Sequence, residues 1–257
     1  MEVIEYKISD RIAHITLNRP QKRNALNKEM VSLLTQRIIE ANNHPEVKLV
    51  VLGARGKVFS AGADLKYLKS LQKNTYEENI ADSGSLRDLF QLIYTLDKVV
   101  IAKVQGHAIA GGCGLASVCD LVISQPDAMF GYTEVRIGFV PAIVMVYLLR
   151  RLGEGSAREL LLSGHLIDAL TAKKIGLVNR VVPSESLDGA VATLAKRIIE
   201  DNSEQSMKRV KTMISKIQDL DFEAALNYAV KQNADARNSE DCKKGIQAFI
   251  EKKPIKW

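Results

Sequence analysis

Only three cysteines, Cys113, Cys119 and Cys242, occur in the 257 residues. They build no paired framework, and no CxxC or Cys/His cluster appears, so neither a disulfide scaffold nor a metal site is expected. Cys113 and Cys119 sit among apolar neighbours, the setting of reduced thiols in a cytoplasmic protein. Long apolar runs are missing too. None approaches the roughly 18 residues of a membrane-spanning helix, and the opening "MEVIEYKISDRIAHITLNRP" has Glu2 and Glu5 where a signal peptide would be apolar. No repeat of fixed period and no low-complexity segment is found. A secreted, membrane-spanning or solenoid protein is therefore not expected.

What is present suits a globular chain. Hydrophobic residues make up 46% and charged residues 26%, enough for a full core and too apolar for disorder. The formal net charge of +6 suits a polyanionic ligand, whether nucleotide, phosphate-bearing cofactor or nucleic acid. The basic residues are scattered except near the C-terminus, where Lys243, Lys244, Lys252, Lys253 and Lys256 gather. A solvated face and a binding patch both stay open there.

Period-two alternation in "VIEYKISDRIAHITLN" about Ser9-Asp10 predicts a β-hairpin. Met30, Leu33, Leu34, Ile38 and Ile39 mark a helix capped by Asn27. "VKLVVLGAR" and "VVIAKVQG" are apolar runs bounded by turn signals, hence buried strands. Residues 75–97 are expected to be helical, followed by a helix from Gly112, strands at "CDLVISQ" and "AMFGY", a loop at "TEVRIGFVP", and helices over 143–151 and 155–163. This alternation argues for an α/β body over residues 1–185. From Ser186 onward four amphipathic helices follow without a strand, a helical C-terminal region over 186–257 whose apolar stripes face the body or another subunit.

Two loops carry the chemistry-bearing pattern. "FSAGADL" (59–65) and "AIAGGCGL" (108–115) each follow an apolar strand and lead through small residues into a helix. A helix start presents unpaired N–H groups and a partial positive charge. Two such N–H groups aimed at one point make an oxyanion hole; an ordinary strand–helix turn is the alternative for each loop.

The segments "NRPQKRNALN", "FSAGADLKYL", "IAKVQGHAIAGGCGLASVCDLVIS", "FGYTEVRIGFVP", "ELLLSGHLIDALTAKKIGLVNRVVP" and "KKGIQAFIEKK" resemble, in order and over nearly the whole chain, the enoyl-CoA hydratase/isomerase (crotonase) family. The resemblance implies a crotonase-like spiral of β-β-α turns forming two sheets, followed by C-terminal helices. It also implies a homotrimer or dimer of trimers, and an acyl-CoA thioester as substrate with no further cofactor. By motif position, the N–H groups of Ala63 and Gly111 form the oxyanion hole. Lys22 and Arg23 lie near the CoA phosphates and Ala25 near the adenine. Ala61, Asp64 and Leu65 line the pocket, while Phe249 and Lys252 reach the CoA of a neighbouring subunit. Asp64 could instead be a helix N-cap, Lys22 and Arg23 a solvated loop, and Phe249 a core residue.

In hydratases of this family one acid stands at the position of Gly114 and a second at that of Glu134. Adding water across C=C needs a base for the water and an acid for the α-carbon. Here Glu134 is present and Gly114 has no side chain. The resemblance tilts toward the methylglutaconyl-CoA hydratase-like branch of leucine breakdown. Three functions remain open: hydration of a 2-enoyl-CoA; double-bond isomerisation by Glu134 alone; and a weakly catalytic homologue that binds acyl-CoA or RNA. His107 is either a second proton donor or structural. The charge is not clustered as a nucleic-acid footprint would be.

Overall fold

The computed structural model describes residues 2–257. It opens on the hairpin β1 (Ile4–Ser9) and β2 (Ile12–Leu17). The turn lies one residue later than alternation predicts: Ser9 pairs with Ile12, and Asp10 and Arg11 turn with φ of 52° and 63°. Positive φ at both central residues is the type I′ geometry that matches strand twist. Next comes α1 (Lys28–Asn43), with the Asn27 side chain accepting the Met30 N–H at 3.0 Å. Met30, Leu34, Ile38 and Ala41 form its buried stripe, and Ile39 falls outside it.

One unit then recurs: a strand in a first sheet, a short strand in a second, then helix. It appears as β3 (Leu49–Ala54), β4 (Val58–Ser60), α2 (Leu65–Leu71) and α3 (Tyr76–Thr95). It appears again as β5 (Val99–Val104), β6 (His107–Ile109) and α4 (Gly111–Ser117), so α4 starts one residue before the predicted Gly112. The third pass is β7 (Leu121–Ser124), β8 (Met129–Gly131), α5 (Ala142–Leu152) and α6 (Glu154–Ser163). The segment expected to be a loop before α5 contains a 3-10 turn, Glu134–Ile137, ended by Gly138 at φ 73°. The short β9 (Ile167–Asp168), α7 (Ala169–Lys174) and β10 (Arg180–Val181) complete the two sheets, ordered β1-β2-β3-β5-β7-β10 and β4-β6-β8-β9. All pairings are parallel except β1–β2 and β8–β9. This is the α/β spiral of β-β-α turns that the motifs imply.

The period of two in the large sheet sorts its side chains into two cores. Val50, Leu52, Val100 and Ala102 join the main cluster, with α1, α3 and α4. Their neighbours Leu49, Val51, Ile101 and Ile123 point the other way, against Leu187, Val191, Ala195 and Ile199 of α8 (Leu187–Asp201). A strand buried on both faces reads as a continuous apolar run. The first of the C-terminal helices therefore covers the sheet. The rest, α9 (Glu204–Ile217), α10 (Phe222–Asn238) and α11 (Glu240–Ile250), lie further out, and α10 and α11 leave Phe222, Leu226, Val230, Ile246 and Phe249 exposed. In the basic C-terminal stretch Lys243 pairs with Glu240 and Lys253 with Glu251, as on a solvated face. No helix is long and apolar enough to cross a membrane.

Three buried lysines tie helices together. Lys48 Nζ donates to the carbonyls of Ile199 and Asn202 at the end of α8, and Lys98 Nζ donates to His44 and Val47 after α1. A cation at a helix C-terminus meets unpaired carbonyls and the negative end of the dipole. Lys211, on α9, bonds the carbonyls of Ile93 and Lys98 and pairs with Asp120 at 2.7 Å. Replacing Lys211 by Met leaves that carboxylate and two carbonyls without their cation. Loss of one partner of a buried pair costs about 3–5 kcal/mol, so the variant should melt roughly 10 °C lower. A melting curve superimposable on that of the unmodified protein would show that Lys211 does not fasten α9 to the body.

Candidate active site

The first arm of the site is the loop between β4 and α2. Leu26 donates to the Gly62 carbonyl at 2.7 Å, Asp64 donates back to the Leu26 carbonyl at 2.8 Å, and Ala61 donates to Arg23 at 3.0 Å. This is a parallel bridge, Leu26 to Ala63. Along an extended chain successive N–H groups alternate in direction, so the Ala63 N–H points away from the 23–26 segment. Among the described residues it has no hydrogen-bond partner, and Ala63 is exposed.

Polar side chains hold this arm. Asn24 is fully buried, with φ 51°. Its Oδ1 accepts from Arg19 N at 2.8 Å, and its Nδ2 donates to the carbonyls of Arg55 and Val58 at 2.9 and 2.8 Å. Ser60 Oγ donates to the Asn24 carbonyl at 2.9 Å and accepts the Gly62 N–H at 3.3 Å. Asp64 is the N-cap of α2, accepting from Lys66 and Tyr67, and is paired with Arg19 at 3.1 Å. Burial pushes its carboxyl pKa up, but the Arg19 guanidinium and the two N–H bonds outweigh this and hold it below the usual value. Of the two readings for Asp64, the cap is thus the observed role. Tyr67 is bonded to Asp82, which ties α2 to α3.

The second arm is the turn from β6 into α4. Ala110 has φ 53° and ψ −129°, a region L-residues rarely occupy, and such strain gathers at functional sites. The Ala110 N–H donates to Gly131, and its carbonyl accepts the Gly114 N–H at 3.0 Å as the first bond of α4. The Gly111 N–H has no partner among the described residues and carries the positive end of the helix. The arms touch at Gly62, which has φ 81°. A Cβ there would lie 2.7 Å from Ala110 Cβ, 2.9 Å from the Ile109 carbonyl and 3.2 Å from Gly111 N. The two loops singled out by their small residues are therefore side by side, each with a free N–H.

Glu134 opens the 3-10 turn after β8, the strand paired with β6. Its Oε2 is buried without a partner, and burial raises the pKa of the carboxyl, opposed only by its own backbone N–H. The segment leading into it is tied to the second arm: the Gly131 carbonyl accepts the Ala110 N–H at 2.7 Å, and the Tyr132 hydroxyl donates to Ser117 Oγ of α4 at 3.3 Å. The position of the second acid, Gly114, is filled from α5. A Cβ there would overlap Val144 Cγ1 and lie 3.1 Å from both Val144 Cβ and Phe90 Cε2.

The remaining residues divide. Lys22 and Arg23 are exposed at the corner before Asn24, beside Ala25, which is buried, and Ala61, which is half-buried. Leu65 is 76% exposed. Phe249 is 86% exposed on α11 and Lys252 follows it, so within one chain Phe249 is not a core residue. His107 Nδ1 accepts the Met129 N–H at 3.1 Å, a structural link between β6 and β8. Cys113 and Cys119 are buried, with thiols that burial pushes up to about 12, which suits inert core residues. No group of three His, Cys, Asp or Glu among the described residues is placed to hold a metal ion. Arg19, Asn24, Ser60 and Val144 escaped the sequence reading. The available signal was Ser60, a polar residue inside the otherwise apolar junction "VFSAGA".

Two neighbouring free N–H donors and one desolvated carboxylate are groups suited to charge on a carbonyl oxygen and to movement of a proton. Comparison with known proteins gives the family. A family model described as enoyl-CoA hydratase/isomerase matches residues 7–257. A "Putative enoyl-CoA hydratase" of Thermus thermophilus is 43% identical over 247 residues, covering 96% of this chain and 97% of that protein. The "Short-chain-enoyl-CoA hydratase" of Clostridium acetobutylicum is 36% identical, covering 95% and 93%. The crystal structure of an enoyl-CoA hydratase from Mycobacterium smegmatis superimposes with a TM-score of 0.94 at 31% identity, over 100% of this chain and 99% of that one. The chain belongs to the enoyl-CoA hydratase/isomerase family.

Gly62→Ala tests the contact between the arms. The added methyl has no space and the wrong φ, so it should push Ala63 away from Gly111. Misplacing one backbone donor costs about 10²–10³ in kcat. A folded variant with kcat and KM unchanged would show that the spacing of the arms is irrelevant to turnover.

Proposed function

We propose that this protein binds a 2-enoyl-CoA thioester and adds water across its C2=C3 bond, with Glu134 as the single proton-transfer group. The thioester oxygen sits between the N–H groups of Ala63 and Gly111. Glu134 takes a proton from water as the water oxygen bonds to C3, and the enolate charge gathers on the thioester oxygen. Glu134 then returns the proton to C2, so the sum is one water added. Each backbone donor contributes about 3 kcal/mol to that charge. No redox group is required, and CoA enters as part of the substrate. Lys22 and Arg23 meet the CoA phosphates, with Ala25 near the adenine and Ala61 and Leu65 along the pocket.

The observation that carries this reading is the buried, unpartnered Oε2 of Glu134, three residues beyond the Gly131 carbonyl that accepts the Ala110 N–H. The hydratase names of the relatives support water addition. The filled volume at Gly114 favours a second reading, relocation of a double bond, in which Glu134 removes a proton from one carbon and returns it to another. An apolar groove between α3 and α5, lined by Ile80, Ile143, Val146 and Tyr147, suits an uncharged acyl chain. Arg87 at its edge forms an exposed pair with Asp88.

Glu134→Gln keeps the size and removes the base. Turnover should fall by the 10²–10⁴-fold typical of a general acid–base group, while acyl-CoA still binds. The unmodified enzyme must hold Glu134 ionised to accept a proton, and burial raises its pKa. Activity should therefore fall as pH drops through a value above the ordinary 4.5, and the variant should lack that limb. Normal turnover of short 2-enoyl-CoAs by Glu134→Gln would end the single-carboxylate mechanism.

The exposed apolar faces of α10 and α11 are proposed to pack between subunits, bringing Phe249 and Lys252 to a neighbour's CoA. Light scattering is expected to give three or six chains per particle; a monomer at working concentration would refute the shared site.

A further inference from the structure

We infer that Val144 is a specificity-determining residue of this site: it occupies the volume of the missing second acid and lowers the share of water addition relative to proton relocation. The inference rests on the acyl-CoA reading above. Gly111 and Gly114 are three residues apart on α4, so they share one face of that helix. A side chain at 114 would lean toward the helix start, the turn that Gly111 opens. What stands there is Val144, reaching in from the first turn of α5, with the Phe90 ring behind it. Val144 is 3% exposed, and Phe90 and Leu148 are fully buried.

The block cannot be relieved by a side-chain swing. A Cβ on Gly114 would overlap one methyl of Val144 and also lie 3.1 Å from its Cβ. A β-branched residue on a helix has one strongly preferred rotamer. Even alanine at 114 would require α5 to move. Glycine at 114 and valine at 144 are interlocked, and the acid could return only if both changed.

The chemical consequence concerns water. A second carboxylate would give the attacking water a further hydrogen-bond partner besides Glu134. The groups filling that volume are a valine and an aromatic ring, neither of which offers a hydrogen bond, and water does not occupy a site lined only by apolar groups. Glu134 remains the one polar group for the proton. Where the substrate carries a removable proton at C2 or C4, Glu134 takes it, the C–H electrons pass into the dienolate, and the same proton returns at the other carbon. Atoms balance with nothing added. Hydration instead consumes one water, which Glu134 must position unaided.

The test uses the full-length enzyme with a 3-enoyl-CoA and a 2-enoyl-CoA in ¹⁸O-labelled water, reading labelled 3-hydroxyacyl product against relocated double bond. Val144→Thr keeps the volume and places a hydroxyl in it. Gly114→Glu with Val144→Ala restores a carboxylate together with its space. In both, the ratio of hydrated to relocated product should rise at least tenfold, with acyl-CoA affinity held within about threefold. Gly114→Ala alone should lower the melting temperature, and adding Val144→Ala should recover it, because the two positions share one volume. An unchanged product ratio in folded Val144→Thr overturns the inference, and so does a Gly114→Ala variant as stable as the parent. Glu134→Gln in the same assay separates the two levels. If it is inactive while the ratio ignores position 144, only the role of Val144 falls; if it is fully active, the acyl-CoA mechanism falls first.

Discussion

The contact between Gly62 and the Ala110–Gly111 turn is the constraint on which the site depends. Two chain segments some fifty residues apart in sequence come together with no side chain between them. A methyl at Gly62 would already collide with Ala110 and the Ile109 carbonyl. That closeness leaves two backbone N–H groups, of Ala63 and Gly111, free on neighbouring loops. Each is free for a local reason. Ala63 follows the alternation of the bridge to Leu26, and Gly111 lies in the first turn of α4, where no earlier carbonyl can accept.

The surrounding structure keeps that contact in place. The two-sheet spiral puts β4 and β6 side by side, so the loops leaving them are adjacent. The buried Asn24 and Ser60 then fasten the first loop to its neighbours, and the Arg19–Asp64 pair fastens the start of α2. Polar groups buried here are fully bonded, which makes them rigid supports. Glu134 is the contrast. It is partly buried with one oxygen unbonded, an expensive state for a structural carboxylate and a useful one for a proton carrier.

The C-terminal helices divide between two tasks. The apolar stripe of α8 matches the outward face of the large sheet and completes a second core. The stripes on α10 and α11 have no counterpart within the chain and remain exposed. Both kinds of helix look alike as amphipathic patterns, because periodicity reports that a face is apolar and says nothing of what covers it.

The sequence by itself determined most of the strands and helices, the Asn27 cap, and the two small-residue loops as the places to look. Hydrophobic period, Asn27 and the glycine-rich turns are local features, and local rules read them. The family motifs supplied the spiral and the place of Glu134. Only the tertiary structure decided what surrounds those residues. The hairpin turn shifted to Asp10 and Arg11 because backbone φ, not alternation, selects the turn. Asp64 became a cap through bonds to Lys66 and Tyr67. His107 became a strand link through the Met129 N–H. The missing acid at Gly114 proved to be a filled volume, because Val144 arrives from α5, thirty residues further along the chain. Side-chain identity is written in one dimension, whereas occupied space is settled by whichever distant segment packs there.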